Sequence, residues 1–116
     1  LTHNIFSLTF IELPFFSKAR EIYLSDDAFR ELQQTLISAP ETGDIIPGTG
    51  GARKLRWSRP GMGKRGGLRV IYYYVDVIGQ IWLLTLYSKN VADNIQPQIL
   101  KRLTESIHAE INRKNH

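Results

Sequence analysis

Residues 68–87 read LRVIYYYVDVIGQIWLLTLY. Two runs rich in aromatic and β-branched residues, Leu68–Val75 and Gln80–Tyr87, flank the tetrapeptide DVIG. Such residues favour a pleated backbone, and a short separation ending in glycine suits a hairpin in which Gly79 takes a positive φ. The two runs are therefore expected to be the central antiparallel strands of a sheet. A central strand buries alternate residues, so Tyr72, Tyr73 and Tyr74 read first as core and second as stacking platforms for bases.

Upstream, residues 43–67 hold eight of the nine glycines, which marks a region of loops and hairpins. Within it RKLRWS, residues 53–58, has the period of a strand: Arg53, Leu55 and Trp57 fall on one side, Lys54, Arg56 and Ser58 on the other. One side is core and the other cationic. Nearer the start, a strand over residues 5–13 is stopped by Pro14, and a helical stretch follows over Phe16–Tyr23. Ser25 with Asp26 and Asp27 opens a second helix, whose apolar stripe is Ala28, Phe29, Leu32 and Leu36 and which Pro40 ends. Downstream, Pro97 suits a first helical turn, and Ile99, Leu103, Ile107 and Ile111 step by four along a closing helix. The order is strand, two helices, three or four antiparallel strands, helix. It predicts one α+β domain over residues 1–116, a small antiparallel sheet with its helices packed on one face.

Charge is distributed unevenly. From Ile45 to Val75 there are seven Lys or Arg and no acid, while the rest of the chain carries eight bases against eleven acids. A basic patch on an otherwise mildly acidic domain is an electrostatic footprint for a polyanion, with a merely solvated face as the bland alternative. The absence of cysteine removes thiolate metal sites, disulfides and cysteine nucleophiles together. The longest apolar runs are too short to span a membrane, and the N-terminal LTHNIFSLTFIELPFF has no secretory pattern, so the expected location is cytoplasmic.

Several motifs fail on context. GMGKRG at 61–66 matches GxGxxG formally, but a strand rather than a helix follows it, which a dinucleotide site does not allow. The three histidines, His3, His108 and His116, have no carboxylate or cysteine pattern beside them, so no metal or other cofactor is expected; His108 reads as a surface or boundary residue. No GxSxG elbow is present. What survives is a set of side chains on neighbouring strands: Lys54, Arg56, Arg69, Tyr87 and Lys89. Clustered cations stabilise the charge that gathers on a phosphate under attack by a 2′-hydroxyl. A lysine among arginines has its charged form disfavoured and can take the hydroxyl proton, which makes Lys54 the natural base. A tyrosine can stack on a base or donate a proton. From the residues alone the reading stops at an RNA- or phosphate-binding surface.

The stretch GDIIPGTGGARKLRWSRPGMGKRGGLRVIYYYVD, followed by LLTLYSKN, closely resembles the HigB branch of the RelE/ParE toxin superfamily, the toxins of bacterial type II toxin–antitoxin modules. The GTGG-x-RK and GKRGG-x-R elements carry the resemblance, which extends from the first strand to the last helix. It implies a RelE-like, microbial RNase-type fold and a metal-independent mRNA endoribonuclease that works in the ribosomal A site by 2′-hydroxyl attack. By motif, Lys54 and Arg56 match the family's pair of strand lysines, Arg69 its transition-state arginine, and Lys89 falls near a late arginine. Lys64 and Arg65 are implied as contacts to ribosomal RNA, with Arg53 and Arg59 grouped beside them without roles of their own. The implied partners are a HigA-like helix-turn-helix antitoxin, the 70S ribosome with its mRNA, and operator DNA through the antitoxin alone. The sequence departs from the family in two places. A tyrosine expected after the late arginine is Ile95, so Tyr87 has taken its role or none, and Lys89 lacks the arginine fork. Two other readings stand beside this one: a ParE-like gyrase inhibitor acting by protein binding, and an RNA-binding module without catalysis.

Overall fold

The computed structural model describes residues 8–58, 67–89 and 95–114. Its chain order is β1 (Thr9–Glu12), α1 (Pro14–Tyr23), α2 (Asp26–Ser38), β2 (Asp44–Ile45), β3 (Arg53–Trp57), β4 (Leu68–Val75), a 3-10 turn (Asp76–Ile78), β5 (Gln80–Ser88) and α3 (Pro97–Lys114). The strands form one sheet in the order β1-β5-β4-β3-β2. The two central runs pair antiparallel from Leu68↔Ser88 to Val75↔Gln80, and Gly79 closes their turn with φ 62°. That hairpin is as the sequence predicts. The first strand is shorter than expected, and residues 5–7 of that expectation lie outside the described residues.

The sheet is mixed rather than wholly antiparallel, because β1 runs parallel to β5. A tight turn imposes antiparallel pairing only on strands adjacent in sequence. Between β1 and β5 lies most of the chain, so docking rather than a turn sets the direction of β1.

The helices lie on both sheet faces, not on one. Leu68, Val70 and Tyr72 of β4 pack with Phe16 of α1, Leu24, and Phe29, Leu32 and Leu36 of α2. The alternate residues Ile71, Tyr73 and Val75 pack on the opposite face with Leu100 and Ile107 of α3. The reason is in the composition of β4: a nearly continuous apolar strand must be covered twice, whereas one-sided cover suits an alternating one.

Local sequence explains each helix. Pro14 occupies the first turn of α1, where its missing N–H removes no bond. Ser25 caps α2, its Oγ accepting from the Ala28 N–H at 3.1 Å, with Asp26 and Asp27 in the first turn. Arg20 joins the layers: its Nε donates to Glu12 Oε1 at 3.2 Å, and its guanidinium lies 4.3 Å from the Phe29 ring centroid. In α3 the buried face is Leu100, Thr104 and Ile107, with Leu103 and Ile111 partly covered, while Ile99 is 49% exposed. The expected stripe is thus displaced by one residue at its start. A step of four drifts around a helix of 3.6 residues per turn, and the expectation gives no weight to a buried threonine.

Candidate active site

Strand register assembles the cationic set. Arg56 lies opposite Arg69, and Arg69 lies opposite Tyr87, a row across β3, β4 and β5. Lys54 lies opposite Ile71, two residues along β3 on the same side as Arg56. Residues opposite each other share a face, so Lys54, Arg56, Arg69 and Tyr87 stand with Ile71 and Tyr73 on the α3 face. Lys89 follows β5, its N–H donating to Gly67 O at 3.3 Å. It joins Arg56 and Arg69 around a cavity of about 310 Å³ that Trp57, Ser58 and Gly67 also line. Lys54, Arg56, Arg69 and Tyr87 therefore stand on one side of the sheet, and Lys89 borders the arginines just beyond the end of β5.

Their exposures differ, and this divides their tasks. Arg56 projects into solvent, whereas Arg69 is only 8% exposed, with Nη1 3.5 Å from Leu68 O. Tyr87 is also 8% exposed and belongs to the core beneath α3. A buried guanidinium is held in a fixed direction and loses little on binding, the condition for preorganised charge stabilisation. The ring of Tyr87 is a wall more than a mobile arm.

Arg53 is elsewhere. It pairs with Tyr72, on the α1/α2 face, and its Nη1 donates to Gly43 O at 2.8 Å and Glu41 O at 3.1 Å. It ties the α2–β2 connection to β3. Arg59, Lys64 and Arg65 fall in residues 59–66, outside the described residues.

The tyrosine tract is core, as the strand period predicts, with Tyr72 and Tyr73 buried and Tyr74 half-buried. Tyr72 Oη donates to Pro40 O at 2.7 Å and accepts from the Gly43 N–H at 2.9 Å. Burial raises its pKa, against a smaller lowering by the Gly43 hydrogen bond. The Tyr73 hydroxyl is hydrogen-bonded to His108 Nε2, and the rings meet edge to face with centroids 5.4 Å apart. Burial raises the Tyr73 pKa too, with Asp76 adding to the rise. His108 thus has a specific aromatic partner that its position between Ile107 and Ala109 gives no sign of.

The GTGG segment supports the site without entering it. Thr49 is fully buried: its Oγ1 donates to Ile46 O at 2.6 Å and accepts from the Ala52 N–H at 3.0 Å. Its carbonyl accepts from Thr104 Oγ1 of α3 at 2.8 Å. At Gly50, with φ 75°, a Cβ would come within 2.8 Å of that same Thr104 Oγ1. The loop before β3 is therefore bolted to α3, which fixes β3 and its cations relative to the helix. In the sequence these glycines mark a loop and carry part of the family resemblance; the buried threonines are the missed signal. Among the described residues no group of three or more His, Cys, Asp or Glu could hold a metal ion, and no helix is long and apolar enough to cross a membrane.

The five-stranded sheet with two helices on one face and one on the other is a RelE-like fold. The E. coli toxin RelE, as a double arginine-to-alanine mutant in the free state, superposes with a TM-score of 0.54 at 12% identity, covering 74% of this chain and 87% of that one. The intact E. coli RelBE toxin–antitoxin complex matches with a TM-score of 0.51 at 15% identity, over 76% of this chain and 100% of that one. The archaeal RelE–RelB complex from Pyrococcus horikoshii OT3 superposes more loosely, with a TM-score of 0.47 at 25% identity over 73% of this chain and 98% of that one. No family model matches the sequence.

Proposed function

We propose that this chain is the toxin of a type II toxin–antitoxin module, of the HigB branch, and that it cleaves translated mRNA in the ribosomal A site. The observation that carries the reading is the register Arg56↔Arg69↔Tyr87, with Lys54 one step along the same face. Four groups suited to phosphodiester chemistry converge from three strands on a rigid sheet, the precision such chemistry requires.

In the proposed reaction Lys54 accepts the proton of the 2′-hydroxyl or stabilises its oxyanion. The 2′-oxygen attacks the adjacent phosphorus, and the bond to the 5′-oxygen of the next nucleotide breaks, leaving a 2′,3′-cyclic phosphate and a 5′-hydroxyl. Arg56 and Arg69 hold the non-bridging oxygens as charge accumulates there, and arginine's fork suits that geometry. Lys89, which lines the same cavity, adds a point charge. Tyr87 lends its ring to a base or its hydroxyl to the departing oxygen. Lys64 and Arg65 would contact ribosomal RNA, with Arg53 and Arg59 outside the reaction itself.

The proposed partners are the 70S ribosome and a HigA-like helix-turn-helix antitoxin, through which alone the complex reaches operator DNA; the site of action is the cytoplasm. The likeness in fold to the toxin of the E. coli RelBE complex supports an antitoxin partner. Primer extension on mRNA under active translation tests the reading: cuts within codons are expected with the wild type and not with Lys54→Ala or Arg69→Met. Intact mRNA with the wild type, or cleavage undiminished in both variants, overturns it.

A further inference from the structure

Beside the arginine row, and sharing Lys54 and Tyr87 with it, lies a second cavity of about 390 Å³. Its other walls are aliphatic, among them Ile71, Ile95 and Leu100, with one exception, Gln96. We propose that this cavity receives one nucleobase flanking the scissile phosphate and that Gln96 reads the hydrogen-bonding edge of that base. The inference rests on the endoribonuclease reading and names the specificity element of the same site.

Three features favour a base over a protein side chain. Lys54 lines this cavity and stands two residues from Arg56 on the same face of β3, so an occupant arrives next to a cation, as a base attached to a phosphate does and an aliphatic peptide side chain does not. Tyr87 and the aliphatic walls offer surface to the face of a flat ring, the way unstacked RNA bases are held. Gln96 supplies a donor and an acceptor together, the pattern that matches a base edge. The volume is also within the range of pockets built for small ligands.

The Gln96 main chain is anchored, while its side chain is exposed. The Ile99 N–H donates to Gln96 O at 3.0 Å, so the Gln96 main chain is anchored to the first turn of α3. About two turns further along α3, Thr104 Oγ1 donates to Thr49 O at 2.8 Å and ties the helix to the loop before the strand that carries Lys54. An amide carried on an anchored main chain can discriminate, because a base with the wrong edge leaves its polar atoms unpaired.

The test compares the full chain with Gln96→Ala, which removes the reader, and Ile95→Trp, which fills the cavity from a half-buried position. Cleavage sites are mapped across translated mRNAs, and binding of 2′-O-methyl RNA trinucleotides differing in one base is measured by calorimetric titration. The wild type is expected to prefer one base at a position flanking the cut by about tenfold. Gln96→Ala should reduce that preference below about threefold, and Ile95→Trp should weaken trinucleotide binding by about tenfold or more. A wild type without base preference, or a preference that survives Gln96→Ala, overturns the proposal while leaving cleavage intact. Should the wild type not cleave at all, the endoribonuclease reading falls and the titration still decides the cavity: base-dependent affinity abolished in Gln96→Ala supports it, and affinity indifferent to Gln96 overturns it.

Discussion

Arg56 and Arg69 stand directly opposite each other on β3 and β4, two cations on one face of the sheet. Like charges so placed oppose folding by up to about 1 kcal/mol, and an anion between them reverses the sign. The pair therefore favours the bound state at the expense of the free one. Arg56→Ala is expected to leave the thermal midpoint unchanged or slightly higher while cutting mRNA cleavage by about a hundredfold or more. Scanning calorimetry beside primer extension reads both quantities. A variant that loses stability and activity together would mean that Arg56 acts as a structural group.

The Thr104 to Thr49 hydrogen bond is expected to carry stability rather than chemistry. Both residues are buried, and Thr104→Val leaves the Thr49 carbonyl without its donor. Leaving such a group unsatisfied costs about 1–3 kcal/mol, a fall of several degrees in the midpoint of a domain this size. Thermal unfolding of the variant checks it, and an unshifted midpoint contradicts it.

Gly50 and Thr104 should be coupled. With φ 75° and only 2.8 Å between a built Cβ and Thr104 Oγ1, Gly50→Ala meets both backbone strain and a clash. The single variant is expected to lose about 1–3 kcal/mol. In Gly50→Ala with Thr104→Ala the clash is gone and the strain remains, so the double variant should be more stable than the sum of the singles requires. A double-mutant cycle by chemical denaturation measures the coupling; strict additivity would put the whole effect in the backbone.

What was legible in the sequence follows how local its signals are. The hairpin through Gly79, the Ser25 cap and the division of RKLRWS into Leu55 and Trp57 against Lys54 and Arg56 all depend on neighbours in the chain, and all appear in the structure. The parallel β1 and the placement of α3 on its own face depend on contacts between distant segments, which periodicity does not encode. The near-continuous apolar character of β4 held the clue to the second face, since alternation would have sufficed for one. In the site, the strand period brought Arg56, Arg69 and Tyr87 into one row once the register was known. Gln96 was invisible, because a lone amide before a helix has no pattern until the fold brings it to the cavity that Ile71 and Leu100 also line.

The buried tyrosines should make the fold sensitive to alkali. The Tyr72 hydroxyl is held between Pro40 O and the Gly43 N–H, and burial raises its pKa above the ordinary tyrosine value, as it does for Tyr73. A raised pKa means that the folded chain holds the proton more tightly than the unfolded chain does. The corresponding stability is fully present below the unfolded value of about 10 and is lost as pH rises through the higher folded value. Denaturant unfolding is thus expected to show a stability decline above about pH 10 that is shallower in Tyr72→Phe. The same variant should lose about 1–3 kcal/mol at pH 7, where the phenyl ring leaves the Gly43 N–H and the Pro40 carbonyl unpaired. An alkaline slope identical in wild type and Tyr72→Phe would assign the decline to other groups and remove Tyr72 from the account.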